Sequence, residues 1–185
     1  SPEYASRTDS SNLSDTTLDA FTLQDSNPAA ILNDLQQKTE RFFPSIEAVN
    51  TQVKYVQADV AEYVSPAFYM VPAIDNTEGQ TIYINSLHLP DDLTLLTTLA
   101  HEGFPGHLYQ HVYYASTDPE PIRSLLDCGG YTEGWATYTE MISYCFSGLP
   151  KDEASLRQHN ASVLLGLYAL ADIGIHYDGW NLKDT

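Results

Sequence analysis

Hydrophobic residues at helical spacing predict two helices in the first half of the chain. The first opens at Asn27-Pro28 and closes at Pro44, which follows its last aromatic residues. The second starts at Pro90-Asp91-Asp92, where acidic side chains suit the N-terminal end of a helix dipole. The residues expected to face the core are Ile31, Leu32, Leu35 and Phe42 in the first helix, and Leu93, Leu95, Leu96, Leu99 and Ala100 in the second.

Three more helical segments are predicted in the second half of the chain. A short helix around residues 122–126 is followed by Gly129-Gly130, which is expected to interrupt the pattern. Thr132 is a candidate cap for a helix over residues 133–146, and Asp152 for a long last helix that runs toward Ile175. The residues of this last helix expected to point inward are Leu156, Val163, Leu164, Leu167, Leu170 and Ala171.

Between residues 52 and 86 the pattern changes to that of strands. Alternation over residues 53–57 and the β-branched or aromatic runs 68–71 and 81–84 predict three strands, with a hairpin loop at residues 75–79 between the last two. The sheet is expected to be mostly antiparallel. The predicted fold class is therefore α+β and helix-dominated, with five or so helices plus a small mostly antiparallel sheet.

The chain divides into a polar N-terminal segment and one domain. Residues 1–25 are rich in Ser, Thr and Asp, which predicts a mobile polar arm. Residues 26–185 carry the apolar patterns and are expected to form the folded domain, because 185 residues suit a single domain.

Charge narrows the range of partners. The chain has 8 Lys+Arg and 25 Asp+Glu, a formal net charge of −17, and no cluster of basic residues. Phosphate backbones and anionic lipid surfaces are repelled by such a chain, so nucleic acid is not an expected partner. The chain contains no run of 18 consecutive apolar residues, so direct membrane insertion of this segment is not expected. Two cysteines, Cys128 and Cys145, are too few for a disulfide scaffold.

The candidate chemistry lies in residues 101–107, with the sequence HEGFPGH, and in Glu133, 26 residues after the second histidine. Two imidazoles and one carboxylate are the ligands of many catalytic zinc sites, which leave one position open for water. A Glu directly after the first His, here Glu102, is where such sites keep their general base.

The two histidines are six residues apart, whereas the zinc-binding HExxH helix places them four apart. On a regular helix they would be separated by about 120° around the axis and about 9 Å along it, too far to share one ion. Pro105 cannot donate a helical hydrogen bond, and Gly103 and Gly106 relax the restrictions on φ. We therefore predict a distorted turn at residues 103–106 that brings His107 beside His101.

Two alternatives for the ligand set stay open. Glu140 lies two helical turns after Glu133 on the same face, so one of them is a ligand and the other, more plausibly Glu140, hydrogen-bonds a ligand imidazole. His107 and His111 are four apart and would form a metal pair on a regular helix. That pair would leave Glu102 beside a histidine that binds no metal.

Three motifs make the chain similar to a large bacterial family of unknown function, DUF 885. They are HExxPGH at residues 101–107, EGWA at residues 133–136 and GIHxxGW at residues 174–180. The family resembles the helical gluzincin metallopeptidases, so the resemblance implies a gluzincin-like metallopeptidase catalytic core. It also implies His101, His107 and Glu133 as ligands of one Zn2+ per chain, with Glu102 as base.

The third motif adds candidate groups for the substrate. By resemblance, His176 has a catalytic role as a substrate or oxyanion contact, with Tyr131, Tyr138 and Tyr177 as alternative donors to a tetrahedral intermediate. Family members are usually longer, so the chain is expected to be a truncated catalytic domain against which the rest of the parent protein packs. Relatives are often exported or anchored at the bacterial surface, which favours an extracellular or cell-surface location.

The function predicted from these observations is a zinc-dependent hydrolase, most plausibly a metallopeptidase with a peptide substrate. The predicted strand over residues 81–85 would be the sheet edge that pairs with the substrate backbone. The alternative is a non-catalytic module in which the same residues hold a structural or vestigial metal while the surface binds a partner.

Overall fold

A computed structural model of the chain describes residues 21–73, 79–126 and 128–183. Within them the secondary structure is helix-dominated α+β, which confirms the predicted class. The helices are α1 (Pro28–Phe42), α2 (Asp92–Glu102), α3 (His107–Ala115), α4 (Gly129–Ser143) and α5 (Lys151–His176), and the strands are β1 (Asn50–Tyr55), β2 (Ala67–Met70) and β3 (Gly79–Ile84). Short 3-10 helices cover Ala58–Tyr63, Ser86–His88, Pro121–Leu125 and Tyr144–Phe146.

The first two helices begin and end where their sequence signals predict. The Asn27 side chain accepts a hydrogen bond from the N–H of Ala29, and Asp91 accepts from the N–H groups of Leu93 and Thr94. The predicted inward residues of α2 are all buried, as are those of α1 apart from Phe42, which is exposed. Local capping and periodicity therefore determine these two helices.

The predicted polar arm does not extend to residue 25. Phe21 and Leu23 pack on the core, and the Leu23 N–H and the Ser26 hydroxyl both donate to the Asp92 carboxylate. This carboxylate therefore anchors the segment before α1 as well as lying in the first turn of α2. The rest of the predicted arm, residues 1–20, lies outside the described residues.

The sheet is mixed, which corrects the prediction of a mostly antiparallel one. The strand order is β1-β3-β2, with β1 parallel and β2 antiparallel to β3. The predicted edge strand, residues 81–85, is mostly β3 and thus central, so that prediction was wrong. Alternation identified the strands but not their order, because strand order depends on contacts that are distant in sequence. Residues 74–78 of the expected hairpin region lie outside the described residues.

The core lies where α1 and α2 cover the sheet. Leu35, Ile82 and Leu99 have no exposed surface, and Phe104, in the turn after α2, is 1% exposed. The Phe104 side chain is therefore part of the same core that holds α2 against the sheet.

Helix α4 begins four residues earlier than predicted. The N–H groups of Tyr131 and Thr132 donate to the Cys128 carbonyl, so Gly129 and Gly130 form the first turn instead of interrupting the helix. The Thr132 hydroxyl also lies near the Cys128 carbonyl and does not cap the helix. The predicted end was also displaced, because the 3-10 helix Tyr144–Phe146 follows Ser143.

The predicted inward face of α5 is exposed. Leu156, Val163, Leu164, Leu167 and Leu170 each have more than half of their surface accessible. Only Ala154 and Gly174 are buried in α5. This helix contacts α4 and the 3-10 helix Tyr144–Phe146. Among the described residues, no helix is long and apolar enough to cross a membrane.

The end of α5 explains part of the third motif. The Trp180 ring lies over Gly174, where an added Cβ would be 2.2 Å from a ring carbon. The backbone N–H of Trp180 donates to the Gly174 carbonyl. Gly179 has a φ of 74°, which favours glycine. Two glycines and the tryptophan of GIHxxGW therefore form a helix-terminating turn.

We predict opposite effects for two Gly→Ala substitutions in α5. G174A should lower the free energy of unfolding by about 1–3 kcal/mol, because the new methyl group displaces the Trp180 ring. The control G166A should raise it by about 0.5–1 kcal/mol, because nothing lies within 4 Å of that position and alanine favours a helix. Urea unfolding followed by tryptophan fluorescence measures both, and equal effects would contradict this role of Gly174.

Candidate metal centre

The turn between α2 and α3 places His107 beside His101. Helix α2 ends at Glu102, residues 103–106 are not helical, and α3 starts at His107. The Tyr109 N–H donates to the Gly103 carbonyl, and the Phe104–Pro105 peptide bond is cis. The two imidazole centroids are 4.8 Å apart. The predicted distorted turn is confirmed.

The two glycines of the turn are needed for space. A Cβ at Gly106 would lie 1.8 Å from the His101 carbonyl oxygen, and one at Gly103 would lie 2.5 Å from a Leu32 methyl carbon. Their φ values, −77° and −109°, lie outside the left-handed region. The expected relaxation of φ is therefore not their role, because the absence of a side chain is what lets the backbone approach His101.

Helix α4 is fastened to this turn by Trp135. The indole N–H donates to the Pro105 carbonyl over 2.8 Å, and Phe43 packs edge-on against the indole ring. Since Glu133 lies two residues before Trp135, this hydrogen bond also sets the position of Glu133 relative to the histidines. The sequence places Trp135 in the EGWA motif and gives no signal for this contact.

Four side chains from the three helices converge at the turn. Glu133 Oε2 lies 3.5 Å from His101 Nε2 and 3.6 Å from His107 Nε2. Tetrahedral ligand atoms about 2.0–2.1 Å from a zinc ion are about 3.3–3.4 Å from one another, close to these distances. His101, Glu102 and His107 also offer donor atoms within 4.8 Å of one another, so this group could hold a metal ion.

The second nitrogen of His101 faces Glu140. His101 Nδ1 lies 3.1 Å from Glu140 Oε2, while Nε2 is directed to Glu133. A carboxylate at Nδ1 favours a proton on that nitrogen and leaves the lone pair on Nε2. Glu133 and Glu140 are therefore not equivalent, because Glu133 contacts both histidines and Glu140 contacts only one.

The Glu102 carboxylate is held by the sheet. The Tyr69 N–H in β2 donates to Glu102 Oε2 over 2.8 Å. This contact joins residues 33 positions apart, and no local pattern could have predicted it. One carboxylate oxygen is thus fixed, while the group itself stays next to the two histidines.

The charges at this centre oppose one another. Burial raises the pKa of Glu102 above its ordinary value, and the charges of Glu133 and Glu140 raise it further. The hydrogen bond from the Tyr69 N–H and the charge of His101 lower this pKa, but the net shift is upward. Burial and His101 lower the pKa of His107. At His101 burial lowers the pKa, but the three carboxylates outweigh it and the net shift is upward. A cation among these groups would offset the repulsion between the carboxylates.

The other predicted site residues are His176, Tyr177, Tyr131 and Tyr138, and their described contacts are with other residues than the two histidines. His176 is exposed and 3.6 Å from Asp172, and Tyr177 and Tyr131 are also exposed. Tyr138 packs against Trp135 about 140° around α4 from Glu133. In the described part of the chain none of these four has a hydrogen bond or ion pair with the two histidines, so their roles stay predictions.

His111 occupies a separate environment. Its ring lies 6.1 Å from the Tyr69 ring, and burial lowers its pKa. The group of donor atoms found among the described residues contains His107 but not His111. The geometry thus favours the pairing of His107 with His101 over the alternative pair with His111.

Comparison with protein families gives one match that covers nearly the whole chain. The sequence profile of the family described as "Bacterial protein of unknown function (DUF885)" matches residues 8–185. No curated protein matches the chain significantly.

A solved structure that matches the chain has a similar fold. It is described as "The crystal structure of the putative lipoprotein from Colwellia psychrerythraea", with a TM-score of 0.66 and 23% sequence identity. The similarity covers 84% of this chain and 27% of that chain. The present chain therefore spans about a quarter of the length of its solved relative.

We predict that G106A separates the two histidines. The new Cβ cannot coexist with the His101 carbonyl, so the turn must open and affinity for added Zn2+ should fall at least about tenfold. The control G134A, next to Glu133, has nothing within 4 Å and should bind the ion normally. Isothermal titration with zinc measures both, with circular dichroism to verify folding. Unchanged affinity in folded G106A would contradict the prediction.

Proposed function

The chain belongs to the DUF885 family of bacterial proteins, and we propose that it is a zinc-dependent hydrolase that cleaves peptide bonds. The observation that carries the proposal is the contact of one Glu133 oxygen with Nε2 of both His101 and His107. Glu102 lies beside this trio with a carboxylate fixed by Tyr69. This arrangement resembles the gluzincin sites that the sequence suggested.

His101, His107 and Glu133 are the proposed ligands of one zinc ion per chain. Two imidazoles and a carboxylate suit zinc, and three protein ligands leave one coordination position for water. Both imidazoles are largely buried, whereas Glu133 is exposed, so the open position is expected on the solvent side. Glu140 orients His101 through Nδ1.

Glu102 is the proposed general base. Zinc bound at this centre would lower the pKa of a water ligand and polarise the carbonyl group of the substrate. The Glu102 carboxylate accepts the proton of the attacking water and passes it to the nitrogen of the leaving amine. Burial raises its pKa, which suits a group that must both accept and donate a proton. The Tyr69 N–H holds one oxygen in place.

The free edge of β2 is the proposed place for an extended substrate. The Pro66 carbonyl accepts from the N–H of Asn85, directly after the end of β3, whereas the Tyr69 N–H points the other way, to Glu102. Since backbone groups alternate along a strand, the Ala67 and Tyr69 carbonyls also point to this free edge. A peptide backbone could pair there beside the base, a role that the sequence had given to β3.

A non-catalytic module is the second candidate. The feature that favours it is the exposure of His176 and Tyr177, neither of which has a hydrogen bond or ion pair with His101 or His107 in the described part of the chain. In that case the same ligands would hold a structural or vestigial metal.

We also propose that further polypeptide covers the apolar part of α5. Large apolar side chains between residues 163 and 175 are exposed on every side of the helix, a pattern typical of helices buried inside larger proteins. The solved relative is much longer than this chain. Its description as a "putative lipoprotein" supports a cell-surface location, and the acidity of the chain supports a substrate other than nucleic acid.

Two variants separate catalysis from metal binding. E102Q should retain one zinc per chain but lose at least about a hundredfold of the peptidase rate, because the amide cannot accept the proton. H107A should lose the metal itself. Elemental analysis and hydrolysis of a mixed peptide library measure the two effects.

E47Q serves as the control, because Glu47 is exposed and distant in sequence from the motif. It should keep both zinc and activity. Full activity in E102Q would overturn the assignment of Glu102 as the general base. Zinc binding in a native chain that hydrolyses no peptide would overturn the hydrolase proposal and support the structural-metal alternative.

The exposed helix gives a prediction of its own. The chain should bind an apolar dye such as ANS, and the double variant L164Q/L167Q should reduce this binding severalfold without loss of helix content. The control L182Q removes an exposed leucine outside the helix and should change little. Dye binding that is insensitive to L164Q/L167Q would show that α5 does not present the apolar surface.

A further inference from the structure

A second concave site lies on the other side of α4. It is a hollow of about 620 Å³ between the end of α1, the second half of α4 and the 3-10 helix Tyr144–Phe146. Tyr138 and Ile142 line it from α4, about 160° around the helix from Glu140. The volume falls in the range of small-molecule sites. The hollow is therefore separate from the proposed metal centre.

Four aromatic residues line the hollow, namely Phe42, Phe43, Tyr138 and Phe146. Phe42 and Phe146 stack with centroids 5.9 Å apart and planes 20° apart. Lys38 Nζ donates to the Phe146 carbonyl over 2.7 Å and ties the 3-10 helix to α1. The stacked pair, of which Phe42 is 71% exposed, offers a flat apolar surface next to the solvent.

The charge of the hollow is opposite to that of the chain. Lys38 and Arg41 line it, and no acidic side chain does so among the described residues, although acidic residues outnumber basic ones by 25 to 8. Lys38 is already paired with Asp34 at 2.6 Å. Arg41 has no ion pair within the described part of the chain, so its guanidinium is available to an anion.

We propose that this hollow binds a small aromatic carboxylate. The ring of the ligand packs on Phe42 and Phe146, and the carboxylate accepts the two parallel hydrogen bonds that a guanidinium offers from Arg41. Arg41 lies in the last turn of α1, where a positive charge stabilises the helix dipole. This role does not explain the aromatic residues beside it. The proposal does not depend on the zinc site.

Cys145 provides a reporter for the test. Its exposed thiol lines the hollow, whereas Cys128 is exposed outside it. The native chain is alkylated with iodoacetamide in the presence of 3-phenylpropionate, 3-phenylpropionamide or propionate, and mass spectrometry follows each cysteine. Saturating 3-phenylpropionate should slow modification of Cys145 by about tenfold and leave Cys128 unchanged, while the neutral amide and the ringless acid protect much less.

Two variants check the assigned contact. R41Q should raise the concentration of 3-phenylpropionate needed for protection about tenfold, whereas R123Q, which removes an exposed arginine elsewhere, should not change it. H107A should protect Cys145 as the native chain does, which separates this proposal from the proposed hydrolase. Equal protection by the acid and the amide, or no selective protection of Cys145, would overturn the proposal.

Discussion

The candidate centre depends on one close approach of backbone to backbone. The Gly106 Cα lies so near the His101 carbonyl that no side chain fits between them. This contact lies in the four-residue turn between α2 and α3. The turn makes neighbours of two histidines that a straight helix would separate, with ring centroids 4.8 Å apart. The Pro-Gly insertion, which would separate the two histidines on a regular helix, is therefore what brings them together here.

The turn is held by the core and holds the site in return. Phe104 is buried with the residues that join α2 to the sheet, and the Pro105 carbonyl accepts the indole hydrogen bond that fastens α4. The first contact fixes the histidines, and the second brings Glu133 and Glu140 to them. Strand β2 adds the Tyr69 N–H that orients Glu102. Each polar group at the centre is thus positioned by a helix, strand or turn that hydrophobic packing holds in place.

The sequence predicted the features that depend on residues close together in the chain, and it did not predict those that depend on residues far apart. Asn27 and Asp91 cap N–H groups within three residues of themselves, and the buried positions of α2 follow from helical periodicity. Both were predicted correctly. The distorted turn could also be predicted, because it follows from helix geometry and Pro105. The strand order, the Tyr69 contact with Glu102 and the surroundings of α5 depend on partners distant in sequence, for which the local pattern carries no information.

The central claim is that His101, His107 and Glu133 hold one zinc ion, and anomalous X-ray scattering at the zinc absorption edge tests it most directly. Crystals grown with zinc should show one strong peak about 2.0–2.1 Å from Nε2 of both histidines and next to a Glu133 oxygen, with Glu140 at the other nitrogen of His101. A peak between His107 and His111, or no peak at this turn in crystals soaked with zinc, would contradict the account.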